Sequence, residues 1–197
     1  MAMRMLDSAG LEILTDGVRT ADTSNPHGYY EFEPVKRLHE SANPSWLTGA
    51  KGKVVKVVSF FLAYLPQRIN YRVIFMHRDL DEIILSQDRM LLQRGERKST
   101  DHGRIREHYQ LHLEKIRFIL DHRPCFASIG VSYADAIADP AIQAARINAF
   151  LGGRLDVRRM TSAVDDRLYR TRLQSRSGAD ISNARTARSL WLTSLTM

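Results

Sequence analysis

The chain has 197 residues, of which 44% are hydrophobic and 26% charged, a composition that fits one globular domain with a sizeable core. Its single cysteine, Cys125, excludes an internal disulfide and a cysteine-rich zinc site, and makes a reducing cytoplasm the expected location. The longest apolar segment, residues 54–65, is too short to span a bilayer, and residues 1–10 lack the apolar stretch of a signal peptide.

The formal net charge is +7, which raises the question of an anionic partner. Nucleic acid is not the expected one, because the basic residues are scattered and no helix-turn-helix, zinc-finger or aromatic-interleaved basic motif is present. The densest basic cluster lies within residues 154–188. A cleft for a phosphorylated and sulfated ligand and a merely solvated basic surface both remain compatible with this charge.

Helical and strand patterns alternate along the chain. The predicted helices are residues 1–9, a helix opened by Pro34 that contains Val35 and Leu38, and residues 80–93, 104–122 and 140–151. The predicted strands are residues 11–14, 53–59, 71–76 and 125–133. This alternation predicts an α/β fold in three layers, a parallel sheet with helices on both faces. Residues 174–197 show no trustworthy period, so this tail is expected to be disordered or loosely helical.

The most informative stretch is YRVIFMHRDLDEIILSQ, residues 71–87. The apolar run of residues 73–76 predicts a buried strand of a parallel sheet, and helical spacing of apolar residues begins after Asp79. Asp79 is a favourable N-cap, and Glu82 stands where the second residue of a capping box would be.

Arg78 therefore leaves the carboxyl end of a buried strand, and Ser86 lies on the helix that follows. Ligands of open α/β sheets bind at this edge, and a guanidinium beside a hydroxyl is suited to a phosphate. The alternative is a local ion pair from Arg78 to Asp81 or Glu82.

Four stretches together resemble bacterial sulfotransferases, which use the sulfuryl donor 3′-phosphoadenosine-5′-phosphosulfate (PAPS). They are DTSNPHGYYEFEPV, GKVVKVVSFFLAYLP, the pair Arg78 and Ser86 with seven residues between them, and VSYADAIADPAIQAARINAFLGG. They occur in the order seen in that family. The resemblance covers residues 1–173 and implies a P-loop NTPase-like fold.

In that family a strand and a glycine-containing loop precede the first helix, and the loop binds the 5′-phosphosulfate. Residues 1–10 look like the tail of this first helix, so the resemblance implies a sulfotransferase-like domain at 1–173 that is N-terminally truncated, with its first strand and loop missing. The missing strand would be central in the sheet, and open strand edges there would favour aggregation or incomplete folding.

The resemblance also implies roles for particular residues. Arg78 and Ser86 would bind the 3′-phosphate, and Tyr133 would approach the adenine, the alternative for Tyr133 being a buried tyrosine at a strand end. Glu31 would be the catalytic base that accepts a proton from the acceptor, with Glu33 as the second carboxylate candidate in the same segment. His27 and His77 are rivals to Glu31, read more simply as a turn residue and a packed strand-end residue. Arg4 is not expected to act in the site. PAPS would be the co-substrate, and no metal is expected.

The expected function is sulfuryl transfer from PAPS to a hydroxyl or amine of a small-molecule, glycan or peptide acceptor. An alternative is an impaired remnant that binds adenosine 3′,5′-bisphosphate without turnover. A P-loop kinase or NTPase is disfavoured, because the GxxxxGK[ST] loop is absent from the sequence.

Overall fold

The computed structural model describes residues 1–21, 25–93, 95, 101–168 and 193–196. Within these residues five strands form one sheet: β1 (Ile13–Leu14), β2 (Val54–Val57), β3 (Tyr71–His77), β4 (Phe126–Ser132) and β5 (Thr193–Thr196). The α-helices are α1 (Ala2–Ser8), α2 (Leu80–Gln93), α3 (His102–His122), α4 (Tyr133–Ala138), α5 (Pro140–Phe150) and α6 (Val157–Ser162). Short 3₁₀ helices occupy Glu33–Glu40, Ser45–Ala50, Ser59–Tyr64 and Asp166–Leu168.

The strand order in the sheet is β1-β2-β5-β3-β4. β1 pairs with β2 and β3 pairs with β4, both in parallel, whereas β5 pairs antiparallel with β2 on one side and β3 on the other. Strands β1 to β4 therefore all run in one direction, and their carboxyl ends meet at one edge. The architecture is α/β, as the sequence predicts, but the sheet is mixed and not purely parallel.

The interior position between β2 and β3 is occupied by β5. In this register Leu195 stands between Val55 of β2 and Val73 of β3. The sequence predicts open edges at the centre of the sheet, and the structure instead pairs both inner edges with the end of the chain. Of the tail for which disorder or a loose helix is expected, the four residues that the structure describes form a strand, and the others lie outside the described residues.

Alternate residues of β3 enter two separate hydrophobic clusters, as the two-residue period of a strand requires. Val73 and Phe75 belong to a cluster that includes residues of α3 and of three 3₁₀ helices. Ile74 and Met76 belong to a second cluster formed with residues of α1, α4, α5 and α6. Helices thus pack against both faces of the sheet, which leaves the carboxyl edge of the strands as the place where loops and helix starts converge.

Candidate functional site

Arg78 and Tyr133 meet at the carboxyl edge of the sheet. Each directly follows its strand, and the β3–β4 register pairs His77 with Ser132, so the two residues come next to each other. The Arg78 guanidinium carbon lies 5.2 Å from the centre of the Tyr133 ring, within the range of a cation–π contact. Two of the residues predicted to bind the nucleotide are therefore brought together.

Arg78 is also held by α2. Its Nε atom donates to Glu82 Oε2 at 3.2 Å, and the Glu82 side chain is 6% exposed. The predicted local ion pair thus forms with Glu82, whereas Asp81 pairs with Arg106 of α3. The N-cap at Asp79 is confirmed, since its Oδ1 accepts from the backbone N–H of residue 81 at 2.8 Å.

Ser86 lies one helical turn beyond Glu82, on the same face of α2. Its side chain is partly buried. Arg78, Glu82 and Ser86 thus follow one another at four-residue intervals from the end of β3.

A small cavity adjoins this edge, on the α1 side of the sheet. Its volume is about 70 Å³, and its lining residues come from α1, the segment 25–30, β2, and the starts and ends of the later helices: Met1, Met3, Arg4, Asn25, His27, Gly28, Tyr29, Tyr30, Lys56, Tyr133, Ala163 and Asp165. Drug-sized ligands occupy pockets of about 300–1,000 Å³. The cavity is thus sized for one small group, and Tyr133 links it to Arg78.

Lys56 is the cation that β2 contributes to this cavity. Its side chain is partly buried, and its Nζ donates to the backbone oxygen of Tyr29 at 2.8 Å. Burial lowers the pKa of the Lys56 ammonium below its usual value, and the negative charge of Glu31 acts in the opposite direction. A second cation, Arg19, contacts the segment 25–30, with its guanidinium carbon 3.3 Å from the centre of the Tyr29 ring.

His27 and Asp165 form the rim of the cavity. His27 Nε2 lies 3.3 Å from Asp165 Oδ2, and Arg167 donates to both carboxylate oxygens of Asp165 at 2.9 and 3.1 Å. The hydrogen bonds from Arg167, and to a lesser extent the one from His27, hold the pKa of the Asp165 carboxyl well below its usual range. Asp165 therefore already accepts hydrogen bonds, and His27 lies in a turn, as the sequence predicts, with its ring beside Asp165.

Glu31 does not line this cavity. Its carboxylate pairs with Arg19 at 2.9 Å and with Lys36 at 3.5 Å, and its side chain is 20% exposed. The structure thus places the predicted catalytic base near Tyr29 but engages it with two cations.

His77 packs at the end of β3 on the α3 side of the sheet. Its ring contacts Phe75 edge-on, with 5.0 Å between ring centres, and lines a different cavity of about 210 Å³ with residues of α3. This position agrees with the interpretation of His77 as a packed strand-end residue, and it separates His77 from Arg78 and Tyr133.

Sequence reasoning missed Lys56 and set Arg4 aside. One signal was present, since Lys56 is the single charge within the apolar run of residues 54–65. Its significance depends on α1 and the segment 25–30 closing over the carboxyl end of β2, which no local pattern shows. Arg4 enters the cavity because α1 packs against β2 through the second hydrophobic cluster.

Together the fold and this edge define an α/β protein with a cation-lined cleft at the carboxyl ends of its parallel strands. No family model, curated protein or solved structure matches the chain. Across the residues that the structure describes, no group of three or more His, Cys, Asp or Glu side chains is arranged to hold a metal ion. No helix in those same ranges is long and apolar enough to cross a membrane.

Proposed function

We propose that this protein is a sulfotransferase-family protein that binds PAPS at the carboxyl edge of the sheet and transfers its sulfuryl group to a hydroxyl or amine acceptor. The observation that carries the proposal is the meeting of Arg78 and Tyr133, with Ser86 on the helix that begins beside them. The guanidinium and the hydroxyl would hold the 3′-phosphate, and the Tyr133 ring would contact the adenine. The P-loop NTPase-like fold, inferred from the sequence resemblance, is part of this proposal.

The ion pair with Glu82 is compatible with such a role. A guanidinium has five N–H donors in a planar fork, so one guanidinium can serve a carboxylate and a phosphate together, and Arg78 uses its Nε for Glu82. Glu82 would then act as a positioning residue that fixes the plane of the fork. Because Glu82 is buried, breaking its ion pair with Arg78 would cost more than breaking an exposed pair, so we expect the pair to persist when a phosphate binds.

A second candidate function is binding of adenosine 3′,5′-bisphosphate without turnover. It is favoured by the position of Glu31, which pairs with Arg19 and Lys36 and does not line the cavity. A general base must reach the proton that it removes, and the Glu31 carboxylate is instead engaged by Arg19 and Lys36. Turnover of PAPS that is lost in a Glu31→Gln variant would support sulfuryl transfer. Nucleotide binding without turnover would support the second function.

The first experiment is a calorimetric titration of adenosine 3′,5′-bisphosphate into the protein and an Arg78→Ala variant. We expect micromolar binding by the wild type and an affinity lower by roughly 10- to 100-fold in the variant, the effect of losing a charge-assisted hydrogen bond. Arg106→Ala is the matched control, because it also removes an arginine that pairs with a carboxylate of α2. Arg106 pairs with Asp81, whereas Arg78 pairs with Glu82. Equal affinities of wild type and Arg78→Ala, or equal losses in both variants, would contradict the proposed site.

A further inference from the structure

Two cations line the small cavity without a carboxylate partner among the described residues. Lys56 has the neutral carbonyl of Tyr29 as its hydrogen-bond acceptor, and no ion pair joins it or Arg4 to an acidic side chain in the described part of the chain. They approach the same space from different elements, β2 and α1. Positive charge is thus concentrated at one concave point of the surface.

The carboxylates near this cavity are already engaged. Asp7 accepts a hydrogen bond from the Tyr30 hydroxyl at 3.1 Å. Asp165 is held by the Arg167 fork and by His27, and Glu31 has Arg19 and Lys36 as partners. None of the three is within ion-pair distance of Lys56 or Arg4, so the charge of these two cations is not neutralised at short range by a described carboxylate.

A partly buried ammonium without a carboxylate at ion-pair distance is costly for the folded state, because burial removes its hydration and the more distant charge of Glu31 compensates only in part. An anion in the cavity would supply that partner. The cavity volume of about 70 Å³ matches the space of roughly two water molecules. That space suits one small tetrahedral group and cannot take a whole nucleotide.

We propose that this cavity binds a single tetrahedral oxyanion, a sulfate or phosphate group, through Lys56 Nζ and the Arg4 guanidinium, with His27 at its rim. Tyr133 stands between this subsite and Arg78, because its ring lines the cavity and contacts that guanidinium. The inference deepens the proposed function: the interpretation of this oxyanion as the sulfate-bearing end of the donor rests on that function. Binding of the free ion does not depend on it.

The test is a calorimetric titration of inorganic sulfate, and separately of inorganic phosphate, into the protein in a buffer free of both. We expect millimolar binding by the wild type, at least tenfold weaker in Lys56→Met and in Arg4→Met, and largely retained in Lys56→Arg. Lys53→Met is the matched control, since Lys53 precedes the same strand, carries the same charge and pairs with Glu12 outside the cavity. Thermal melts of all variants establish that each one is folded before binding is compared.

Arg78→Ala separates this subsite from the proposed nucleotide site. We expect it to weaken adenosine 3′,5′-bisphosphate while the affinity for inorganic sulfate stays within about twofold. If the wild type bound sulfate through Lys56 but did not bind the nucleotide, the subsite would stand and the proposed function would fail. The subsite is overturned if folded wild type binds neither ion, if Lys53→Met weakens binding as much as Lys56→Met, or if Arg78→Ala abolishes sulfate binding.

Discussion

At the scale of single residues, Lys56 links the stability of the fold to pH. Burial gives its ammonium a lower pKa in the folded state than in the unfolded chain, so over the intervening pH range the unfolded state binds more protons. The free energy of unfolding should therefore rise, through this residue, as the pH increases toward the usual lysine pKa of about 10.4. Urea denaturation at neutral pH and at about pH 10 should show a larger rise for wild type than for Lys56→Met.

Two further measurements isolate the cause of that rise. Lys53→Met should keep the wild-type pH dependence, because it leaves Lys56 and the lining of the cavity unchanged. Saturating sulfate should flatten the wild-type dependence, since a bound anion favours the charged ammonium. A pH dependence that is identical in wild type and Lys56→Met would show that Lys56 is not responsible.

Gly130 on β4 provides the space that the His77 ring occupies. A Cβ atom at residue 130 would lie 2.6 Å from His77 Nε2, closer than real contacts allow. Gly130→Ala must therefore displace the ring, and we expect a loss of about 1–3 kcal/mol of unfolding free energy, typical of overpacking. In denaturant titrations His77→Ala should relieve most of that loss, so the double variant should be more stable than the sum of the two single effects predicts.

At the scale of elements, the sequence predicts the β3–α2 unit well because its determinants are local. The buried run of residues 73–76 and the cap at Asp79 fix the strand, the turn and the helix start within one short segment. The same segment supplies the Arg78–Glu82 ion pair, which the sequence offers as the local alternative to a phosphate-binding Arg78.

The strand β5 could not be predicted, because its cause is not local. Thr193–Thr196 is four residues long and mostly polar, and no alternation in its sequence marks a strand. It is extended because the inner edges of β2 and β3 both require hydrogen-bond partners, and these edges come from residues more than a hundred positions away. The candidate site divides in the same way: Arg78 and Ser86 follow from one segment, whereas the cavity around Lys56 depends on elements distant in sequence.

At the scale of the whole molecule, β5 joins two parallel pairs that do not pair with each other directly. It lies between the strand that carries Lys56 and the strand that ends at Arg78, and so holds these strands two inter-strand spacings apart, about 9–10 Å. Both cation-bearing strands of the candidate site are therefore positioned by the chain's last described residues.

Ser194→Pro tests this dependence. Residue 194 pairs with Lys56 on one side and Ile74 on the other, and proline has no N–H to donate to either strand. We expect a loss of unfolding free energy on the order of 2 kcal/mol in urea denaturation, because a buried acceptor loses its partner. Sulfate affinity should fall with it, since the Lys56 strand is no longer fixed against β3.

The matched control is Ser194→Val, which keeps the N–H and favours an extended backbone. It should retain the stability, the sulfate affinity and the elution volume of the wild type, whereas exposed strand edges should make Ser194→Pro associate in light-scattering measurements. A proline variant as stable and monodisperse as the valine variant would mean that the two parallel pairs hold together without β5. The geometry of the cation-lined cleft would then have to be set by the helices that pack on both faces of the sheet.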